Sequence, residues 1–206
     1  MNSNTETITL TEDLFLGKGA HKKCYQHPTD KNLCVKILFQ TPDVDLEKEL
    51  KYRKVLKQRN IKTTLLPEYL GIVKTNLGEG HIFERCCDYD EKTSLTIKQF
   101  IASKPATPEH IANVIQVILK FKELYFRERI VTSDMDPANF MVQKISKDEF
   151  TIKIIDNIGT PVMIPLAYYF DYFAAQRTKK YWKRFLEYLK RVFPDIFKPE
   201  IIKQIQ

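Results

Sequence analysis

The hydrophobic pattern of the chain changes once, near residue 85, and this change limits most strongly the folds that the sequence can adopt. Before it, short apolar runs alternate with polar turns, which is typical of β-strands, and one stretch, 43–59, has helical spacing. After it, apolar residues recur mostly with helical spacing, interrupted by a strand hairpin between residues 140 and 155. This order predicts an α+β protein with two lobes, 1–85 and 86–206, around a cleft.

Local signals set the expected boundaries of several elements. Thr107 can cap a long helix whose first residue is Pro108, and we expect that helix to end near Arg129. A last helix is predicted over 179–193, with its apolar residues on one face. The apolar run 33–38, with one lysine inside it, predicts a buried strand.

Charge and composition narrow the classes of partner. The 206 residues carry a formal net charge of +7, which favours an anionic partner such as a nucleotide, nucleic acid or anionic lipid. Only charge supports nucleic-acid binding, because no aromatic RNA motif or zinc spacing accompanies the charge, and we do not expect nucleic-acid binding.

The sequence shows no apolar stretch of the ~20 residues that a membrane span needs and no secretory signal. The four cysteines lack the spacing of a disulfide scaffold, so we expect reduced thiols and a cytoplasmic protein.

Gly17 and Gly19 are the first candidates for a functional site. They match the first two glycines of a phosphate-binding loop, with Lys22 where a third glycine would stand. An ordinary hairpin turn is the alternative. A dinucleotide-binding loop would need a helix directly after the glycines, whereas 24–28 continues as strand and turn.

Lys36 is the second candidate, because it lies inside the apolar run 33–38. A lysine needs an anionic partner if its ammonium group is buried. Glu49, on the helix predicted over 43–59, is the expected partner, and Glu47 is its rival. The alternative is an edge strand with an exposed lysine.

Two polar segments in the second half of the chain contain the remaining candidate site residues. Asp134 and Asn139 are five positions apart in a predicted loop, which is the spacing of the kinase catalytic loop, although Asp136 could replace Asp134. Asp156 ends an apolar strand and is followed by Gly159. Amide and carboxylate oxygens side by side suit Mg²⁺ held by substrate phosphates.

The order of these candidates along the chain is the order of the functional parts of protein kinases. We therefore predict a minimal bilobal protein-kinase-like fold, with a small antiparallel β N-lobe that carries one helix and a mainly helical, truncated C-lobe. The expected function is binding of ATP with Mg²⁺ and transfer of the γ-phosphoryl group. The expected roles are phosphate covering by Gly17 and Gly19, phosphate binding by Lys36 fixed by Glu49, an adenine-facing hinge at 83–86 that includes Glu84 and Cys86, Mg²⁺ binding by Asn139 and Asp156, and proton acceptance by Asp134.

Further stretches between residues 16 and 185 resemble one protein family. Those that carry the resemblance include Gly17-Lys18-Gly19, Lys48-Glu49-Leu50-Lys51-Tyr52, Leu66-Pro67-Glu68-Tyr69-Leu70-Gly71, Pro137-Ala138-Asn139, Asp156-Asn157-Ile158-Gly159 and Trp182-Lys183-Arg184-Phe185. The family is YrbL, the PhoP regulatory network proteins of Gram-negative bacteria. The resemblance implies a minimal kinase-like fold, nucleotide binding and a link to low-magnesium signalling, and it implies no substrate.

The chain departs from a working protein kinase in several places. Thr132-Ser133 stand where His-Arg precede the catalytic aspartate, and Asn157-Ile158 stand where a Phe would follow Asp156. No Ala-Pro-Glu motif follows, and the 50 residues from 157 to 206 leave little surface for docking a protein. We therefore expect a small molecule or a lipid headgroup as acceptor. A pseudokinase that binds a nucleotide or a partner protein without turnover is the alternative function.

The last predicted helix is strongly basic. Between residues 177 and 191 one acid, Glu187, accompanies seven basic residues: Arg177, Lys179, Lys180, Lys183, Arg184, Lys190 and Arg191. This pattern predicts either the solvated face of a packed helix or a surface that docks on an anionic membrane or substrate.

Overall fold

The chain divides into two compact units that alternate along the sequence. The computed structural model describes residues 7–19, 21–39, 43–160, 162 and 164–206. The first unit consists of Met1–Val44 and Pro67–Thr93, and the second consists of Asp45–Leu66 and Ser94–Gln206. Ala20 of the predicted glycine loop, and residues 1–6, where the sequence showed no secretory signal pattern, lie outside the described residues. The predicted α+β class is confirmed, and the two lobes divided at residue 85 stay a prediction.

The first unit is an antiparallel sheet. Its strands are β1 (Phe15–Lys18), β2 (Lys22–Gln26), β3 (Leu33–Leu38), β4 (Tyr69–Thr75) and β5 (Gly78–Glu84). A 3₁₀ turn, Glu12–Leu14, precedes β1. The strand order is β1-β2-β3-β5-β4, so β3 is the central strand. Val35 and Ile37 of β3 pack with Leu10 and Tyr25 in the core of this unit, because alternate residues of a strand face the same side.

The second unit is mainly helical. Its helices are α1 (Val44–Gln58), whose first residue alone belongs to the first unit, α2 (Ile97–Ala102), α3 (Pro108–Glu128), α4 (Leu166–Tyr169), α5 (Asp171–Val192) and α6 (Pro199–Ile205). A three-stranded antiparallel sheet, in chain order, consists of β6 (Leu95–Thr96), β7 (Phe140–Lys144) and β8 (Phe150–Ile154). The 3₁₀ turn Pro137–Asn139 directly precedes β7. Within the described ranges, every helix is either too short or too polar to cross a lipid bilayer.

The ends of α3 confirm the predicted capping signals. The Thr107 hydroxyl accepts a hydrogen bond of 3.3 Å from the His110 amide, and Pro108 is the first helical residue. Arg129 ends the helix in the left-handed conformation, with φ of 53°. The helix therefore covers the predicted residues to within one position.

The prediction for the last long helix was too short. It was expected over 179–193, whereas α5 already begins at Asp171. Thr178 and Ala174 are buried one and two turns before Trp182, respectively, so they continue its packed face. Alanine and threonine add little to an apolar pattern, and for this reason the sequence did not reveal the first two turns.

An aromatic cluster joins the long helices to the second sheet. The ring centre of Phe121 on α3 lies 4.5 Å from Phe140 on β7 and 5.3 Å from Phe185 on α5. Aromatic pairs contribute about 0.5–1.5 kcal/mol each beyond the burial of their surface. Since Asn139 immediately precedes Phe140, this packing also fixes the loop 130–139 relative to α5.

Candidate functional site

Backbone hydrogen bonds join the loop 130–139 to the segment 155–159 that follows β8. The Ile155 amide donates to the Asn139 carbonyl at 2.9 Å, and the Ser133 amide donates to the Asn157 carbonyl at 2.8 Å. The Gly159 amide donates to the Val131 carbonyl at 2.7 Å. These bonds bring the loop with Asp134 and Asn139 beside the segment with Asp156. The hairpin of β7 and β8 separates the two segments in the sequence.

The polar side chains of the paired loops are held in defined positions. Asn139 donates from Nδ2 to Oδ2 of Asp134 at 3.1 Å, and the Met135 amide donates to Asp134 Oδ1 at 2.7 Å. The Asn157 amide donates to Oδ1 of Asp156 at 2.8 Å. The hydrogen bond to Asp134 uses the amide nitrogen of Asn139 and does not engage its amide oxygen. An amide oxygen and a carboxylate such as that of Asp156 are hard donors of the kind that Mg²⁺ prefers.

These two side chains would provide an open metal site and not a closed one. Among the residues that the structure describes, no three or more His, Cys, Asp or Glu side chains gather as a metal-binding group. Mg²⁺ commonly binds to one or two protein oxygens, with water and substrate phosphates completing the octahedron. The donor set of Asn139 and Asp156 fits such a cation together with a polyphosphate.

Asp136, the rival of Asp134, has a local structural contact. Its Oδ1 accepts a hydrogen bond of 2.8 Å from the Ala138 amide, which caps the 3₁₀ turn Pro137–Asn139. This cap fixes the turn that places Asn139. Asp134 is exposed to solvent, so its carboxylate is the more accessible of the two.

Thr132, which the sequence comparison matched to the histidine of the kinase catalytic loop, is fully buried. Thr132 and Ile158 form a non-hydrogen-bonded antiparallel pair across the two loops. The backbone N–H and C=O groups of both residues therefore point away from each other, and the flanking residues make the hydrogen bonds. Arg177 of α5 donates from Nε and Nη2 to the Thr132 carbonyl at 3.2 and 2.8 Å. The Thr132 hydroxyl lies 3.1 Å from the Tyr125 hydroxyl. The sequence had placed Arg177 only on a basic helix face, and no signal in the sequence indicates its contact with the loop.

Gly159 is required by the close packing around the second loop. Its φ of 89° is in the left-handed region, and a Cβ atom there would lie 2.7 Å from the Tyr168 hydroxyl and 3.0 Å from Lys48 Cγ. Lys48 also donates to the Ser133 hydroxyl at 3.2 Å. Helix α1 therefore supports both loops of the site.

A second contact from α1 supports the first loop. The Val131 amide donates to the Tyr52 hydroxyl at 3.1 Å, and burial raises the pKa of Tyr52 to about 12. The phenol stays neutral at physiological pH and remains a stable acceptor for this buried amide.

In the first unit, Gly17 lies within β1, where it is paired with Cys24 of β2, and Gly19 follows the last residue of β1. The Gly19 amide donates to the Lys22 carbonyl at 2.8 Å. Neither glycine has a positive φ, and a Cβ on Gly17 would meet no described atom within 4 Å. Among the residues that the structure describes, neither backbone conformation nor packing demands glycine at these two positions. The helix that a dinucleotide-binding loop needs is absent, because β2 follows.

Lys36 lies on the central strand of the sheet, so the alternative of an edge strand is wrong. It is paired with Cys24 of β2 and His81 of β5, on the face opposite Val35 and Ile37. Its ammonium nitrogen lies 4.1 Å from the centre of the Phe83 ring, which is within the range of a cation–π interaction. The lysine is thus held on one face of the sheet near the predicted hinge.

The remaining predicted residues have the following positions. Glu49 of α1 is buried and its carboxylate lies 2.7 Å from the Arg53 guanidinium, whereas Glu47 is exposed. The Glu84 carboxylate accepts a hydrogen bond of 3.1 Å from the Glu68 amide, and Cys86 is buried. The pairing of Lys36 with Glu49 and the adenine contact of 83–86 stay predictions.

Comparison with known proteins identifies the family. Residues 8–190 match the family described as PhoP regulatory network protein YrbL. The YrbL proteins of Escherichia coli (strain K12) and Shigella flexneri are each 35% identical to this chain over 182 residues, which cover 87% of this chain and 86% of each relative. The family match spans every candidate residue from Gly17 to Asp156. The chain therefore belongs to the YrbL family of PhoP regulatory network proteins.

Proposed function

We propose that this chain is a kinase-like protein that binds ATP with Mg²⁺ and transfers the γ-phosphoryl group to a hydroxyl acceptor. The proposal includes the minimal bilobal kinase-like fold expected from the sequence, with an N-lobe at 1–85 and a C-lobe at 86–206. The observation that carries it is the hydrogen-bonded pairing of the Asp134–Asn139 loop with the Asp156–Gly159 segment. This backbone pairing supports the proposal, because it joins the segment with the candidate base to the segment with a candidate metal ligand.

In this proposal Asn139 and Asp156 hold the metal. A bound Mg²⁺ supplies positive charge against the phosphate oxygens. Asp134 orients the acceptor hydroxyl and takes its proton. The acceptor oxygen forms a bond to the γ-phosphorus, the bond from that phosphorus to the bridging oxygen breaks, and ADP leaves with the electron pair.

The first unit contributes nucleotide binding. Gly17 and Gly19 cover the phosphates, and the open space above Gly17 supports a close approach of the backbone. Lys36 holds the α- and β-phosphates and Glu49 fixes it, while Glu84 and Cys86 face the adenine. The central position of β3 supports this role, because a central strand holds Lys36 more rigidly than an edge strand would.

A pseudokinase without turnover is the second candidate. It is favoured by the hydrogen bonds to both carboxylate oxygens of Asp134, from Met135 and Asn139, and by Thr132-Ser133 in place of His-Arg. A base whose two oxygens are engaged must exchange a partner before it accepts a proton. In either case the family description supports a role in the PhoP network, which we connect with the response to low magnesium.

Binding and turnover of MgATP distinguish these functions. We expect MgATP to raise the melting temperature of the wild-type protein, since a ligand that binds the folded state stabilises it. Asp156→Ala should lose the Mg²⁺-dependent part of the shift. Asp134→Asn should keep binding and lose phosphoryl transfer, and Asp148→Ala, at an exposed hairpin turn, should change neither.

The outcomes separate cleanly. If millimolar MgATP produces no thermal shift and no calorimetric heat, the nucleotide proposal is wrong. Binding with no release of ADP above the level of Asp134→Asn would identify the pseudokinase.

A further inference from the structure

A groove of about 320 Å³ opens beside the candidate base, on the side of α5. Ser133 and Asp134 line one wall, and Tyr181, Arg184, Tyr188 and Arg191 of α5 line the other. Small-molecule sites in proteins span about 300–1,000 Å³, so this groove has the size of a small ligand. It lies entirely within the second unit.

The two arginines of the groove rest on tyrosine rings. The guanidinium carbon of Arg184 lies 5.1 Å from the centre of the Tyr181 ring, and that of Arg191 lies 5.6 Å from the Tyr188 ring. Stacking on an aromatic face orients a guanidinium and leaves its N–H groups available for an anion. The arginines are therefore partly ordered before any ligand arrives.

One of the two tyrosines is held by a hydrogen bond. The Tyr181 hydroxyl accepts a hydrogen bond of 2.9 Å from Arg177, which also holds the Thr132 carbonyl. Tyr181 is thus connected to the loop that carries Asp134, and Tyr188 is half-buried on the same helix.

The charges of the groove have a defined distribution. Within the part of the chain that the structure describes, no carboxylate lies within ion-pair distance of Arg184 or Arg191. Glu187 and Asp134 are the acids of the groove. An arginine fork binds a phosphate through paired hydrogen bonds, whereas a carboxylate accepts hydrogen bonds from hydroxyl groups.

We propose that this groove binds the phosphoryl acceptor, and that the acceptor is a hydroxyl compound that already carries a phosphate group. Arg184 and Arg191 bind that phosphate, and the reactive hydroxyl points to Asp134. The acceptor role rests on the proposed function, whereas the phosphate site stands on the groove itself. Free sugar or glycerol phosphates and phospholipid headgroups share this chemistry, so the test includes both sources.

Titration calorimetry with glycerol 3-phosphate, with glycerol as the uncharged probe, tests the phosphate site. We expect the wild type to bind glycerol 3-phosphate and not glycerol. The double variant Arg184→Ala, Arg191→Ala should bind it at least about tenfold more weakly, because hydrogen bonds to charged groups are lost. The control is Lys183→Ala, Lys190→Ala, which removes the same charge at the same spacing from exposed positions that do not line the groove.

Equal weakening in both double variants would overturn the proposal, because it would show a general effect of net charge. The titration is repeated with Asp156→Ala, which changes the metal site and leaves the groove intact. An unchanged affinity of Asp156→Ala for glycerol 3-phosphate would support binding in the groove. Loss of binding would show that glycerol 3-phosphate occupies the proposed nucleotide site instead, and would overturn the proposal.

Co-sedimentation with phosphatidylglycerol vesicles, against phosphatidylcholine vesicles, tests the lipid source. Binding that the arginine variant loses and the lysine variant keeps would support a lipid acceptor, while absence of both soluble and vesicle binding would overturn the proposal. The arginine variant should keep the MgATP thermal shift of the wild type. If MgATP gives no thermal shift with the wild type but glycerol 3-phosphate still binds, the acceptor role and the proposed function are refuted. The phosphate site in the groove would then still stand.

Discussion

Arg177→Ala should destabilise the protein by about 2–4 kcal/mol, because a buried carbonyl loses its hydrogen-bond donor. Arg177 donates twice to Thr132, which is completely buried. Leaving a buried polar group unsatisfied costs about 1–3 kcal/mol. The guanidinium also lies 4.4 Å from the centre of the Tyr181 ring, and such a cation–π contact contributes about 0.5–2 kcal/mol. For a chain of this length, each kcal/mol lowers the melting temperature by about 2–4 °C.

Urea unfolding followed by circular dichroism measures this loss. Arg177→Lys should retain part of the stability, since an ammonium group can still donate to the carbonyl but cannot form the double contact. Lys180→Ala, which removes a charge from an exposed position of the same helix, is the matched control and should change the free energy of unfolding by less than about 0.5 kcal/mol. A loss in Arg177→Ala no larger than in this control would refute the role of the Thr132 contact.

Steady-state kinetics can show whether Arg177 positions the loop 130–139 in addition to stabilising the fold. Arg177 is a positioning residue in our proposal, because it acts on Asp134 through Thr132. If the protein turns over, Arg177→Ala should lower kcat more than it changes KM for MgATP at a temperature where the variant is folded. An unchanged kcat would show that the loop keeps its geometry without the arginine.

Three further predictions concern other parts of the molecule. Gly159→Ala should destabilise by about 2–4 kcal/mol in urea unfolding, because its Cβ would strain a positive φ and meet Tyr168; a loss below about 1 kcal/mol would contradict this. Burial tends to raise the pKa of Glu128, but hydrogen bonds from Thr63, Thr64 and Arg127 outweigh it and lower the pKa below its usual value of 4.5. Glu128→Gln should therefore cost about 1–2 kcal/mol at pH 7, and the difference from wild type should shrink as the pH falls through the lowered pKa; a constant difference would refute it. Lys36→Ala and Glu49→Ala should both weaken MgATP binding in calorimetry, and strict additivity in the double variant would show that the two residues are uncoupled.

Elements with strong local signals were predictable from the sequence. The run 33–38 is β3, and Thr107-Pro108 marks the start of α3, because a cap and a proline act on the backbone directly. The short helices α2 and α6 were not predicted. Pro199 does stand at the first position of α6, but seven residues are too few to show a helical period.

The five-residue spacing of Asp134 and Asn139, and the place of Asp156 at the end of a strand, predicted one site. The backbones of the two segments are hydrogen-bonded, and the roles of the three side chains stay predictions. The groove could not be predicted. Arg184 and Arg191 contribute to it because the aromatic packing of Phe121 and Phe185 turns one face of α5 toward the loop, which is a tertiary effect. The sequence showed only that this helix is basic.

The two compact units are interleaved along the chain, and this has a consequence for work with fragments. A fragment that starts at Ser94 contains most of the larger unit but lacks Asp45–Leu66. That missing segment supplies Tyr52, Leu56 and Leu65 to the same hydrophobic core as Phe121 and Phe185. Such a fragment would expose apolar surface that the absent residues cover, so it should aggregate when expressed alone. Supplying residues 45–66 as a separate peptide should restore its solubility, as complementation of a split protein does.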